Sequence, residues 1–198
     1  MNMYELVEKN KLAILNFLKA KSIVINNIDE VLDKIIVEVG QKKEYPYAKI
    51  DKTNPFKIII SEDIDEREIY KWLNHEMLHV ISNNTDTVDD THVGGVIIEI
   101  KENNIWIGQY LNEAITEYIN QLIINSKYSD YYDRYIEALK YIIDMIGEDV
   151  VIKAYFSNNL FLIVEELKMK ANKSDEMIMS FIDSIDHLYD KNTYKIVI

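Results

Sequence analysis

The chain contains no cysteine and very little proline or glycine. Of its 198 residues none is cysteine, two are proline and five are glycine. Without cysteine the protein can form no disulfide, no thiolate nucleophile and no zinc site with sulfur ligands. The two prolines, Pro46 and Pro55, lie within ten residues of each other, so proline interrupts helix formation only in that part of the chain.

Positive charge and long apolar runs are also scarce. The 22 lysines and arginines stand against 34 acidic residues, which leaves a net charge of −12. This charge repels phosphate backbones and anionic lipid, so we expect neither nucleic acid nor membranes as partners. No apolar run approaches the roughly 18 residues of a membrane span, and polar residues interrupt the N-terminal segment where a signal peptide is apolar. We expect a cytoplasmic protein, with non-classical export as the alternative.

The overall composition is that of an ordinary globular protein. Hydrophobic residues make up 48% of the chain and charged residues 28%, which is typical of a folded domain rather than a disordered segment. The length is sufficient for one domain with a sizeable core. We predict a single domain over residues 1–198, in which residues 1–127 hold a sheet and the site-bearing helices and residues 128–198 form a helical C-terminal part.

Hydrophobic periodicity predicts an α+β, helix-rich fold. The predicted helices are residues 3–20, 28–39, 61–82, 109–125, 131–146, 148–156, 159–170 and 175–189. The predicted strands are residues 44–50 and 55–62, a hairpin over 93–100 and 104–108, and 193–198 as a further strand or a tail. Within the second helix the segment KIIVEV can also be interpreted as a strand.

Two of the four histidines lie in the stretch WLNHEMLHVIS at residues 72–82. Positions four apart share one face of a helix, so His75 and His79 can direct two ring nitrogens at one ion. Glu76 lies beside them and can act on a water molecule without binding the metal. Two histidine ligands and a glutamate base on one helix are the arrangement that the HExxH motif describes. Composition alone predicts about 0.007 occurrences of this pattern in such a chain. The alternative is a surface helix with two unrelated histidines.

A zinc peptidase needs a third protein ligand and one open position. The extended motif HExxHxxGxxH is excluded because Ser82 and Thr85 stand where its glycine and third histidine belong. A glutamate from a second helix is the other solution, and the stretch LNEAITEY at 111–118 supplies it. Glu113 and Glu117 are four apart and project from the same side of a helix whose opposite face is apolar. The alternative is a solvated helix face, which is common for paired acids.

HEMLH followed by NEAITE resembles the zincin metallopeptidases of the gluzincin type. Thermolysin-like members of that group carry HExxH and then an N-E-x-x-S-D-like element. The resemblance implies one Zn²⁺ ion bound by His75, His79 and Glu113, with Glu117 supporting His75 from outside the ligand set. It also implies a zincin-like core, with a small mixed or antiparallel sheet, an HExxH helix and a glutamate helix, followed by a helical C-terminal subdomain. Thr116 and Glu117 replace the serine and aspartate of the element.

The predicted function is a zinc-dependent metallopeptidase that hydrolyses peptide bonds in a peptide or protein substrate. Zinc lowers the pKa of a bound water to about 7, and Glu76 is the expected general base that passes the proton on to the leaving amine. The candidates for an oxyanion donor are Tyr155, His92 and Tyr110. We expect the strand at residues 57–61 to bind an extended peptide by β-addition.

Three other functions are compatible with these residues. The first is a zincin-like domain that has lost turnover and binds or regulates a partner. The second is a different zinc hydrolase that acts on a small amide. The third is an acidic, helical interaction protein that binds no metal. Metal analysis separates the last from the others, and loss of the general base separates an enzyme from a binding domain.

Overall fold

The structure is a computed structural model that describes residues 2–40, 47–83, 92–100, 105–126 and 132–188. Over these ranges the fold is α+β and helix-rich, as predicted, with two three-stranded sheets. No helix within them combines the length and apolar character needed to cross a membrane. The helices are α1 (Met3–Ala20), α2 (Ile28–Asp33), α3 (Glu66–Asn83), α4 (Gln109–Ile124), α5 (Asp133–Ile146), α6 (Glu148–Phe156), α7 (Leu160–Ala171) and α8 (Asp175–Asp186). The strands are β1 (Ile36–Gly40), β2 (Ala48–Asp51), β3 (Asn54–Ser61), β4 (His92–Gly94), β5 (Ile97–Ile100) and β6 (Ile105–Ile107).

The chain divides into two compact units. The first comprises Met1–Asn84 with Asn120–Tyr128, and the second comprises Thr85–Ile119 with Ser129–Ile198. The division falls inside α4, so this one continuous helix belongs to both units. The single domain over residues 1–198, with its two parts meeting at residue 127, stays a prediction.

The first unit places α3 against a mixed sheet. Strand β3 lies in the centre of this sheet, parallel to β1 and antiparallel to β2. Helix α3 packs on β2 and β3 and on α1. Ile58 and Ile60 of β3 are fully buried, because alternate residues of a strand point to the same side of the sheet. The HExxH helix is therefore embedded in the core of its unit.

The predicted helix over residues 28–39 is wrong in its second half. Helix α2 ends at Asp33, and Ile36–Gly40 form strand β1 instead. The register pairs Val37 with Ile58 and Val39 with Ile60, so pairing with β3 decides the conformation of a segment rich in β-branched residues. The alternative interpretation of KIIVEV as a strand is confirmed for residues 36–39. The first predicted helix is confirmed as α1.

The second unit combines an antiparallel sheet with the C-terminal helices. Its strand order is β4-β5-β6, so the predicted hairpin is confirmed as β5 and β6, and β4 adds a third strand through a turn at Gly95. The predicted C-terminal helices are confirmed as α5 to α8, with α5 ending at Gly147 as expected. The predicted terminal strand at 193–198 lies outside the described residues.

Candidate metal centre

Helix α3 is buried almost all the way around over Trp72–Ser82. Every residue in that range is buried except Glu76, which keeps partial solvent access. The buried residues include four polar ones on α3, namely Asn74, His75, His79 and Ser82. Burying a polar side chain costs free energy unless it finds a partner, so this helix carries more polar groups than packing alone requires.

The two histidines direct the same ring atom at each other. His75 is 2% exposed and His79 is 9% exposed, and their Nε2 atoms are 3.2 Å apart. Two neutral nitrogens with lone pairs in opposition repel each other, so this contact needs a proton or a cation between them. The predicted convergence of the two imidazoles on one point is therefore present.

Helix α4 carries the second group of buried polar side chains. Asn112, Thr116, Glu117 and Asn120 are buried, and Glu113 is half-buried. All five fall on one face of the helix, because they recur at intervals of three to four residues. Glu117 is fully buried, so a solvated face, the alternative to a functional role, is wrong for this carboxylate.

The structure brings together the three predicted metal ligands. One ligand atom each from His75, His79 and Glu113 can be chosen so that all lie within 4.8 Å of one another. Two imidazole nitrogens on one tetrahedral zinc, each about 2.0–2.1 Å from the metal, are about 3.3 Å apart. The observed 3.2 Å between the Nε2 atoms matches this separation. Two neutral imidazoles and a carboxylate are also the ligand set of many catalytic zinc sites, so these residues fit the metal.

An asparagine pair connects α4 to α3 near this group. Asn74 Nδ2 donates to Asn120 Oδ1 at 2.9 Å, and Asn120 Nδ2 donates to the Lys71 carbonyl at 3.3 Å. Glu113 precedes Asn120 by seven residues and therefore lies along the same line of the helix surface. The amide pair therefore joins the C-terminal half of α4 to α3 within the first unit.

A further contact holds the first turn of α4. Asn112 Oδ1 accepts the backbone N–H of Val96 at 3.0 Å. Gly95 has a φ of +60°, and a Cβ atom there would lie 1.9 Å from Asn112 Oδ1. Glycine at this position is what allows the turn between β4 and β5 to approach α4 closely.

Tyr132 is a site residue that sequence reasoning missed. Its hydroxyl donates to Glu113 Oε2 at 3.1 Å. No motif marks this tyrosine, because it is one of 14 in the chain and stands just before α5. Only the position of α5 relative to α4 within the second unit identifies it.

The three candidate oxyanion donors occupy different environments. Tyr155 is fully buried, and its hydroxyl lies 2.8 Å from that of Thr116. Thr116 uses its single proton on the Asn112 carbonyl at 2.8 Å, so Tyr155 is the donor to Thr116. The ring of Tyr110 stacks on Tyr135 at 4.6 Å. The backbone of His92 pairs with β5, and its side chain lies outside the described part of the structure.

The expected peptide-binding role of residues 57–61 is wrong. These residues belong to β3, which already has a strand on each side, so its backbone has no edge to offer a peptide. Among the described strands of this sheet, β2 is the edge strand that packs on α3. Beside β2, the ring of Tyr47 stacks on that of Trp72, with 4.5 Å between the ring centroids. The Trp72 ring lies next to the His75 ring, with 5.9 Å between their centroids.

Comparison with known proteins adds no relative, since no family model, no curated protein and no solved structure matches the chain. Any function assigned to the protein therefore depends on the residues described above. The strongest of these are the two converging imidazoles and the carboxylate of Glu113.

Proposed function

We propose that the protein is a zinc-dependent metallopeptidase with a zincin-like core of the gluzincin type. The observation that carries the proposal is the convergence of ligand atoms from His75, His79 and Glu113, with 3.2 Å between the two Nε2 atoms. These three residues would hold one zinc ion. Glu117, one turn beyond Glu113, would orient His75, since buried carboxylates commonly fix the ring of a metal-binding histidine.

When bound, zinc supplies a Lewis acid that acidifies a coordinated water and polarises a carbonyl group. Glu76 takes the proton of the attacking water and returns it to the leaving amine. Its partial solvent access within an otherwise buried stretch suits this role, because the carboxylate must reach both water and substrate. His75 and His79, being buried, hold their orientation throughout.

An extended polypeptide is the substrate that best suits the surroundings. Strand β2 packs on the HExxH helix, and β3 is its one partner among the described strands. An edge strand binds an extended peptide through main-chain hydrogen bonds. Tyr47, 46% exposed and stacked on Trp72, adds an apolar surface beside that edge.

Elemental analysis of the purified protein tests the metal. We expect one zinc per chain in the wild type and strong depletion in His79→Ala, since three ligands are needed for a stable site. A wild type that binds no divalent metal would refute the proposal and favour an acidic interaction protein.

A glutamate variant then tests catalysis. Glu76→Gln should retain zinc and lose hydrolysis of a peptide library. Glu68→Gln is the matched control, because Glu68 is also half-buried on α3 and pairs with Lys71 at 3.0 Å. If the wild type and Glu76→Gln both bind zinc and are equally inert, the zincin-like binding or regulatory domain becomes the better explanation.

A further inference from the structure

We propose that Asp186, the last residue of α8, is a positioning residue that orders the metal-binding end of α4. Its carboxylate caps the helix from which Glu113 projects. The inference rests on the proposed zinc site and assigns the C-terminal helix a part in building it.

The capping contact consists of three charge-assisted hydrogen bonds. Asp186 Oδ2 accepts the backbone N–H groups of Gly108 at 2.7 Å and Gln109 at 3.2 Å, and Oδ1 accepts that of Tyr110 at 2.8 Å. The first N–H groups of a helix have no partner inside the helix. A carboxylate there also interacts favourably with the positive end of the helix dipole. The partner comes from 76 to 78 residues further along the chain.

A local cap is impossible at this helix. The residue before α4 is Gly108, which has no side chain to accept a hydrogen bond. It cannot readily be exchanged for serine or aspartate, because its φ is +88° and a Cβ atom would lie 2.6 Å from the Val96 carbonyl oxygen. The helix therefore depends on an acceptor from elsewhere, and Asp186 supplies it.

The Asp186 carboxylate makes this contact from a half-buried position. Burial raises its pKa above the ordinary value even though three backbone hydrogen bonds pull the pKa down. The three backbone N–H groups therefore offset part of the cost of burying this carboxylate. The same turn is held by the stacking of Tyr110 on Tyr135.

Glu113 lies one turn beyond the capped residues. Without the cap the first turn of α4 frays, and zinc binding has to restore its order. The loss of a helix cap corresponds to about a five- to thirty-fold change in an equilibrium constant. We expect zinc affinity to fall by up to this factor in Asp186→Ala and by less in Asp186→Asn, which keeps one acceptor oxygen.

Zinc affinity is measured by competition with a chromophoric chelator, far below the unfolding temperature. Asp183→Ala is the matched control, since Asp183 lies one turn earlier on α8 and its side chain is 42% exposed beside His187. Equal zinc affinity for the wild type, Asp186→Ala and Asp186→Asn would overturn the proposal, even if the variants melt at lower temperature. Should the alanine variant not fold, the asparagine variant decides.

Amide exchange of the zinc-free protein separates this inference from the proposed function. We expect faster exchange at residues 109–113 in Asp186→Asn than in the wild type, with α1 unchanged. Unchanged exchange in that segment would overturn the capping role whether or not zinc binds. If exchange at residues 109–113 is faster in Asp186→Asn but the wild type binds no metal, the capping role stands and the zinc site is refuted.

Discussion

Replacing Tyr132 with phenylalanine should weaken zinc binding while leaving the fold intact. The substitution removes one hydroxyl, which donates to Glu113 Oε2 at 3.1 Å, and leaves the ring in place. In the zinc-bound protein this hydrogen bond would orient the carboxylate and restrict its rotation. Without it, Glu113 would sample orientations that do not bind the metal.

The size of the effect follows from the partners involved. Losing a hydrogen-bonding partner of a metal ligand typically costs 10- to 100-fold in metal affinity, which corresponds to about 1.4–2.8 kcal/mol. A hydrogen bond to a charged group is worth about 1.5–3 kcal/mol, which agrees with that range. Tyr132 and Glu113 are both half-buried, so water can replace the lost contact in the metal-free protein. We therefore expect the zinc-free stability to change by less than about 1 kcal/mol.

The assay compares zinc competition titrations with melting curves recorded in the presence of a chelator. Tyr141→Phe is the control, because Tyr141 lies on α5 and is 42% exposed. Zinc binding by Tyr132→Phe as tight as that of the control would refute this prediction. An equal loss of stability without zinc would also refute it, since the hydroxyl would then serve the fold rather than the ligand.

Two further substitutions test how α4 is held. Gly95→Ala should destabilise the zinc-free protein by more than about 2 kcal/mol in thermal melts, because a positive φ and the 1.9 Å approach of the new Cβ to Asn112 Oδ1 act together. Gly147→Ala is the control for the effect of positive φ alone, since a Cβ atom there meets nothing within 4 Å. Asn120→Ala leaves a buried amide donor of Asn74 unsatisfied and should cost about 1–3 kcal/mol in chemical denaturation. The double variant with Asn74→Ala should cost less than the sum of the two single changes, and strict additivity would show that the pair does not act as a unit.

Local patterns predicted the parts of the fold that local forces determine. Helices such as α1 and α5 have regular apolar spacing and recognisable ends, for example the Asn2 side chain that accepts the Tyr4 N–H. The HExxH motif was visible because both histidines lie on one helix, where spacing alone sets their relative direction. The pair Glu113 and Glu117 was visible for the same reason.

Contacts between distant parts of the chain were not predictable in this way. Strand β1 was misassigned because its conformation depends on pairing with β3, and a stretch of β-branched residues fits both periods. The central place of β3 also depends on that pairing. Nothing in the residues next to Tyr132 and Asp186 distinguishes them from other tyrosines and aspartates, so sequence patterns do not identify either one. Both act on α4 from elements that follow it in sequence.

The burial of so many polar groups on α3 and α4 is an argument for the proposed zinc site. A helix selected only for packing would place leucine or isoleucine at such positions, since apolar side chains of similar shape are neutral or stabilising there. Instead two imidazoles and the Glu117 carboxylate are buried, and removing each of them from water costs free energy that its partners must offset. A ligand that binds only the folded state stabilises that state. The stabilisation grows with the logarithm of the ligand concentration divided by the dissociation constant. Zinc at this position would therefore supply part of that offset, and the metal-bound protein would be more stable than the metal-free one.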